Sequence, residues 1–287
     1  MKPKGILVSV GGAEDKGTDL EAGIISRNNL NFFEIGILKN IVNLVNDKDA
    51  RIEVVTTASS IPDEVGDNYI DAFTKLGCSN VGHMKIRNRE DAVLHEYIER
   101  VKKCDVLMFS GGNQLRLSSI FGGTQFLDVV RARYEEERFI IAGTSAGAMA
   151  MSNTMIYEGN ATNAHLKGEV RITTGLAFLN GVIIDSHFNK RGRFPRLAQA
   201  VAANPGAIGI GLGEDTGVIV RNGEELEAIG SGAVIIIDGR NVGANNIADI
   251  EFGHPICVEN LMVHIMCKGN TYNIKTRVFE EVAVKTV

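Results

Sequence analysis

The sequence predicts an α/β protein: a mostly parallel sheet flanked by helices in three layers, with antiparallel strands added in the C-terminal part. Three observations point there. Short apolar runs alternate with longer amphipathic runs through residues 5–145. The short runs are apolar throughout rather than at every second position, the pattern of strands covered on both faces. Three of them end in glycine-rich turns, at Gly11–Gly12, Gly111–Gly112 and Gly143–Gly147. In open α/β sheets ligands gather at such carboxyl strand ends.

The elements follow in order. "GILVSVGG" (5–12) reads as a buried strand, and residues 31–46 carry apolar groups at helical spacing. Residues 51–59 give the next strand and 63–78 a helix, with Gly77 as its stop. A strand over 80–86, a helix over 89–104, a strand over 105–112, a helix over 124–137 and a strand over 138–145 continue the alternation. Then come a strand at 181–188 and a helix through 195–206. The remainder is β-rich: 207–220, 226–239, 259–274 and a last segment near 277–285, read as antiparallel additions to the sheet edge. No linker, repeat or low-complexity tract interrupts the chain, so residues 1–287 are expected to form one domain.

Composition narrows the function. The chain is ordinary in apolar content (44%) and carries a net charge of −5, which argues against a nucleic-acid binder with a generally basic surface. No run approaches the roughly 20 apolar residues of a membrane span. The N-terminal apolar run is too short for a signal peptide and meets Gly-Gly, so a cytoplasmic protein is expected. Cys78, Cys104, Cys257 and Cys267 have no CxxC or zinc-finger spacing and are expected to be reduced, buried thiols. No metal and no cofactor is expected.

"FIIAGTSAGAMAMS" (139–152) carries the pattern Gly-x-Ser-x-Gly, with Ser145 between Gly143 and Gly147. One reading is a tight packing turn. The other is a nucleophile elbow, in which small neighbours let one hydroxyl stand exposed at a strand end. A serine nucleophile needs a base. Of the six histidines, His83, His95, His254 and His264 lie in ordinary strand or helix contexts, and His165 lies in a polar loop. His187 ends the apolar strand "GVIIDSHF" and should reach the rim that holds Ser145, although a strand-end histidine is often satisfied by solvent. Glu214 and Asp215 follow another strand; they read as a turn, or as the source of an orienting carboxylate, for which Glu214 is the candidate. The backbone N–H of Ala146 is one candidate oxyanion donor, and "FSGGNQLRL" offers a second near Gly112. Lys190, Arg191, Arg193 and Arg196 form a basic run beside His187. Such runs are usually a solvated face, but arginine forks also bind carboxylates. Asp185 and Gln114, at strand ends, could hold a cationic or amide group.

Taken together, "GGAEDK", "FSGGNQLRL", "GTSAGAMAMS", "IIDSHFNKRGRFPRL" and "GIGLGEDTGVIV" resemble the serine peptidase family that comprises cyanophycinases and dipeptidase E, across residues 11–220. The resemblance implies a fold related to class I glutamine amidotransferases. It also implies an exopeptidase that releases β-aspartyl-arginine from cyanophycin, a poly-aspartate backbone with arginine on each side chain. It matches Ser145 to the nucleophile, His187 to the base and Glu214 to the third member. It matches Gln114, Asp185, Arg191, Arg193 and Arg196 to positions lining the substrate pocket, and suggests a homodimer. The family commonly has Gln where this chain has Ser186, so the substrate contact at that position is expected to differ, and Ala13 stands where a third glycine is common. An aspartyl or isoaspartyl dipeptidase of the same family, and a non-catalytic module holding an anionic ligand on the glycine rim, are the alternative readings.

Overall fold

A computed structural model describes residues 2–16, 36–45, 47 and 49–282. The first half runs β1 (Ile6–Val10), α1 (Ile37–Val45), β2 (Ile52–Val55), α2 (Pro62–Lys75), β3 (Val81–Met84), α3 (His95–Lys103), β4 (Val106–Phe109), α4 (Gln114–Phe121), α5 (Gln125–Glu136), β5 (Ile140–Thr144) and α6 (Ala146–Ala150). The second half runs β6 (Thr154–Glu158), β7 (Arg171–Thr174), β8 (Val182–Asp185), α7 (Phe194–Ala203), β9 (Ile208–Leu212), β10 (Thr216–Arg221), β11 (Glu225–Gly230), β12 (Val234–Asp238), β13 (Met262–Met266), β14 (Thr271–Asn273) and β15 (Val278–Glu280).

A nine-stranded sheet has the order β15-β14-β11-β10-β1-β5-β4-β2-β3. Its β1-β5-β4-β2-β3 half is parallel, and β10, β11, β14 and β15 extend it antiparallel beyond β1. The central strands β1, β4 and β5 are apolar almost throughout because both faces are covered. Leu7, Leu107, Phe109 and Ile141 enter one core with α4, α5 and α6. Val8, Val10, Val106, Met108, Ile140 and Ala142 enter another under α1 and α2. Alternation of side chains along each strand thus feeds two cores, each buried large side chain contributing about 1.5–3 kcal/mol.

Four details differ from expectation. The run β9, β12 and β13 does not join the large sheet edge: with β8 it forms a second sheet, β13-β12-β9-β8, in which β8 and β9 are parallel. Glycine explains part of the packing, since a Cβ on Gly209 would stand 2.9 Å from side-chain atoms of Leu197 and Val201 on α7. The helix expected over 89–104 is broken. Asp91 Oδ2 accepts the N–H groups of Arg87 and Asn88, a short 3₁₀ turn spans Asp91–Val93, and Leu94 is extended before α3 starts. Helix α4 was not foreseen; Asn113 caps it by accepting the Leu115 N–H at 2.9 Å. Cys78 and Cys104 are buried, but Cys257 and Cys267 are exposed. Residues 31–35 and 46 of the expected first helix, and 283–285 of the last segment, lie outside the described residues. Among the described residues, no helix is long and apolar enough to cross a membrane.

Candidate active site

The carboxyl ends of β1 and β5 and the turn after β4 meet at one rim. The register pairs Val10 with Thr144 and Phe109 with Gly143. Past that register the chain turns sharply into α6. Ser145 stands in the turn at φ +50°, ψ −108°, and its N–H donates to Val10 O at 2.8 Å. A non-glycine residue held there costs on the order of 1–3 kcal/mol, which the surrounding hydrogen bonds offset. The flanking glycines serve close packing. A Cβ on Gly143 would sit 2.6 Å from Gly147 C, and one on Gly147 would sit 2.4 Å from Phe109 O. The glycines thus let α6 lie against β4 and β5, as the packing reading expects, and that packing leaves Ser145 in a sharp strand-to-helix turn.

The other two groups arrive from the second sheet. His187 follows β8 at φ +48°, tied by its N–H to Gly11 O at 2.8 Å. Glu214 lies between β9 and β10, where the chain crosses from the small sheet to the large one. His187 Nε2 is 3.1 Å from Ser145 Oγ, and its Nδ1 is 3.0 Å from Glu214 Oε1. Burial lowers the His187 pKa below its ordinary value; the hydrogen bond that its Nδ1–H donates to Glu214 opposes this, and the nearby charges of Arg191 and Arg193 add to the lowering. Burial raises Glu214, but its bonds with His187 and Lys190 outweigh that and hold it below the usual carboxylate range. The imidazole is thus neutral near pH 7, the carboxylate ionised, and Nε2 can take a proton from Oγ.

Sequence reasoning passed over the floor of this site. Gly12, at φ +106°, lies under the His187 ring; a Cβ there would stand 2.4 Å from Cε1 and 2.6 Å from Nε2. Glu14 is buried, accepts hydrogen bonds from Thr144 Oγ1 and Tyr69 Oη, and pairs with Lys16 at 3.0 Å. Burial pushes Glu14 up, yet Lys16, Thr144 and Tyr69 together hold its pKa below the ordinary value. Glu14 therefore braces the residue before Ser145. The "GGAEDK" motif at a strand end was the available signal. Ser145, His187, Gly111, Gly112, Lys16 and Arg191 line an open cavity of about 480 Å³. Ala13, Ser145, His187 and Asp215 all carry positive φ, so backbone strain gathers at this rim.

The predicted substrate contacts are placed differently. Arg191 lines the cavity. Asp185 is fully buried and accepts from Arg193 Nη1 at 3.1 Å and from Arg196 Nε at 2.9 Å, so it does not face a ligand. Arg196 is buried against it, and Arg193 also donates to Ser186 O at 2.7 Å. Ser186 is buried, its hydroxyl 3.2 Å from Met149 Sδ on α6, so the position where a different substrate contact was expected faces the core. Gln114 donates its amide to Ile156 O and Tyr157 O, joining α4 to β6. Asp185, Arg193 and Arg196 share one physical reason: the turn that holds His187 at positive φ needs internal partners, and these side chains supply them, whereas Gln114 serves the contact between α4 and β6. Among the described residues, no cluster of His, Cys, Asp and Glu could hold a metal ion.

A hydroxyl on a strained elbow, a neutral imidazole beside it and a carboxylate behind are an arrangement that suits a serine-type peptidase. Comparisons agree with that class. The profile of peptidase family S51 matches residues 27–228. A cyanophycinase of Synechococcus elongatus is 34% identical over 273 residues, covering 95% of this chain and 80% of the relative. A cyanophycinase of Geminocystis herdmanii (strain PCC 6308) is 32% identical, covering 94% of each chain. The crystal structure of a peptidase from an acI-B1 Actinobacterium superposes with a TM-score of 0.67 at 18% identity, over 95% of this chain and 98% of that one. The chain belongs to peptidase family S51.

Proposed function

We propose that this protein is a serine exopeptidase that hydrolyses cyanophycin to β-aspartyl-arginine dipeptides, with Ser145 as nucleophile, His187 as general base and Glu214 as the orienting carboxylate. The observation that carries the reading is the unbroken hydrogen-bonded line from Ser145 Oγ through His187 to Glu214 at the floor of an open cavity. Similarity to cyanophycinases over 95% of the chain supports the substrate.

In this reading Ser145 Oγ attacks an aspartyl backbone carbonyl while its proton passes to His187 Nε2. The developing oxyanion takes hydrogen bonds from the N–H of Ala146, whose place at the start of α6 leaves it without an acceptor inside the helix, and from the N–H of Gly112. The leaving amine takes the proton back from His187. Water, deprotonated by the same imidazole, then clears the acyl-enzyme. Each cyanophycin unit carries a free carboxylate, and Lys16 and Arg191 give the cavity two cations to meet it. One domain over residues 1–287, acting as a homodimer in the cytoplasm, completes the reading.

Incubation with insoluble cyanophycin should release β-aspartyl-arginine as the sole small product, and Ser145→Ala should lower the rate by about 10⁴-fold or more. Rapid turnover of Asp-X dipeptides with the polymer left intact would instead make the protein a dipeptidase of the same family.

A further inference from the structure

Beside the catalytic cavity lies a second depression of about 380 Å³, lined by Ala58, Ser59, Ser60, Arg87, Asn113 and Arg116. Ser59, Ser60 and Gly112 line both. The wall between them at Gly112 is bare backbone: φ is +136°, and a Cβ there would stand 2.1 Å from Ala58 O. Both arginines are half-buried and held in place. Arg87 Nη1 donates to Thr56 O and its Nη2 to Ser59 O, each at 3.1 Å. Arg116 Nε donates to Thr57 O at 2.8 Å and its Nη2 to Arg87 O at 2.9 Å. A guanidinium has five N–H groups, so each keeps donors beyond those two bonds. Among the described residues no carboxylate pairs with either side chain, although the chain carries 35 acidic residues against 30 basic ones.

We infer that Arg87 and Arg116 form a subsite for a carboxylate of the substrate chain, across the Gly112 backbone from Ser145. The inference rests on the reading of the site as one for a carboxylate-bearing peptide. Two fixed guanidiniums that make no direct ion pair among the described residues suit an anion, with Asp63 acting on Arg87 only at longer range, and an extended peptide advances about 3.3–3.6 Å per residue, so a chain held at Ser145 can reach past Gly112 within a few residues. The forks are preorganised by backbone carbonyls, so binding a carboxylate there orders little side chain.

The test uses tetra-aspartate as the probe and a small uncharged activated ester as the reporter of Ser145. In the wild-type protein tetra-aspartate should inhibit ester turnover competitively. In Arg87→Gln its inhibition constant should rise roughly tenfold more than ester turnover falls, the effect of losing a charge-assisted bond, and Arg87→Lys should retain most of the affinity. Equal inhibition constants, no inhibition of the wild type, or a parallel loss of ester turnover would overturn the subsite; the last would leave Arg87 as a brace for residues 56–59. Should Arg87→Gln not fold, phenylglyoxal modification of the wild type, mapped by mass spectrometry, takes its place. Tetra-aspartate should slow modification of Arg87 and Arg116, and absence of protection overturns the proposal. Because the ester needs no polymer, a protein inhibited through Arg87 that leaves cyanophycin intact keeps the subsite and loses the proposed substrate.

Discussion

Burial keeps the His187 imidazole neutral, as its proposed role as a base requires, and the groups around it tune that balance in opposite directions. Its folded pKa lies below the ordinary value of about 6.5, so the acid limb of kcat/KM should have its midpoint below that pH. The Arg191 charge lowers the pKa, so Arg191→Ala should move the limb upward. Glu214 raises it, so Glu214→Gln should move the limb downward and cut the rate by about 10³–10⁴-fold. A pH–rate series on the three proteins checks the signs; shifts in the opposite sense would remove this electrostatic account. Gly12 gives a steric counterpart. Gly12→Ala puts a methyl into the His187 ring and an unfavourable φ on the backbone, so kcat should fall by about 10²-fold while the fold persists. Circular dichroism together with kcat decides it. At this scale Ser145, His187 and Glu214 were legible because each lies where a strand ends. Gly12, Glu14 and Thr144 were not, because what they touch is set by three separate strand ends meeting.

At the scale of elements, the segment from β8 to α7 is organised around one buried carboxylate. Asp185 gathers Arg193 and Arg196, and together they hold the turn from which His187 projects. Asp185→Asn leaves two guanidiniums short of their counter-ion in a buried place, and stability should fall by about 3–5 kcal/mol, with activity lost alongside. Urea unfolding monitored by circular dichroism measures this. A loss within about 0.5 kcal/mol would mean that solvent already satisfies the arginines. The sequence showed these residues as a charged run beside a histidine, and chemistry alone favoured a ligand. Burial of Asp185 and Arg196 is a tertiary fact, set by α7 packing on Gly209, which no local pattern reports. Strand identities were legible through the first half, where β1, β2, β4 and β5 are buried on both faces, while α4 was missed there. The break before α3 escaped because its apolar spacing continues through a turn fixed by Asn88 and Asp91 side chains.

For the whole molecule, the site joins two sheets. Ser145 comes from the large one, His187 from the small one, and Glu214 from the crossing between them. The second sheet was not legible because β8 and β9 look in sequence like further strands of the first. Their separation depends on which strand lies beside β1, and β10 takes that place. If this junction activates one hydroxyl, a serine-directed fluorophosphonate applied to the folded protein should find it, and mass spectrometry locates the adduct. The adduct should map to Ser145, form more slowly in the presence of soluble cyanophycin fragments, and be lost in His187→Ala. Folded protein that stays unlabelled, or that labels at another serine while still clearing cyanophycin, would contradict the claim.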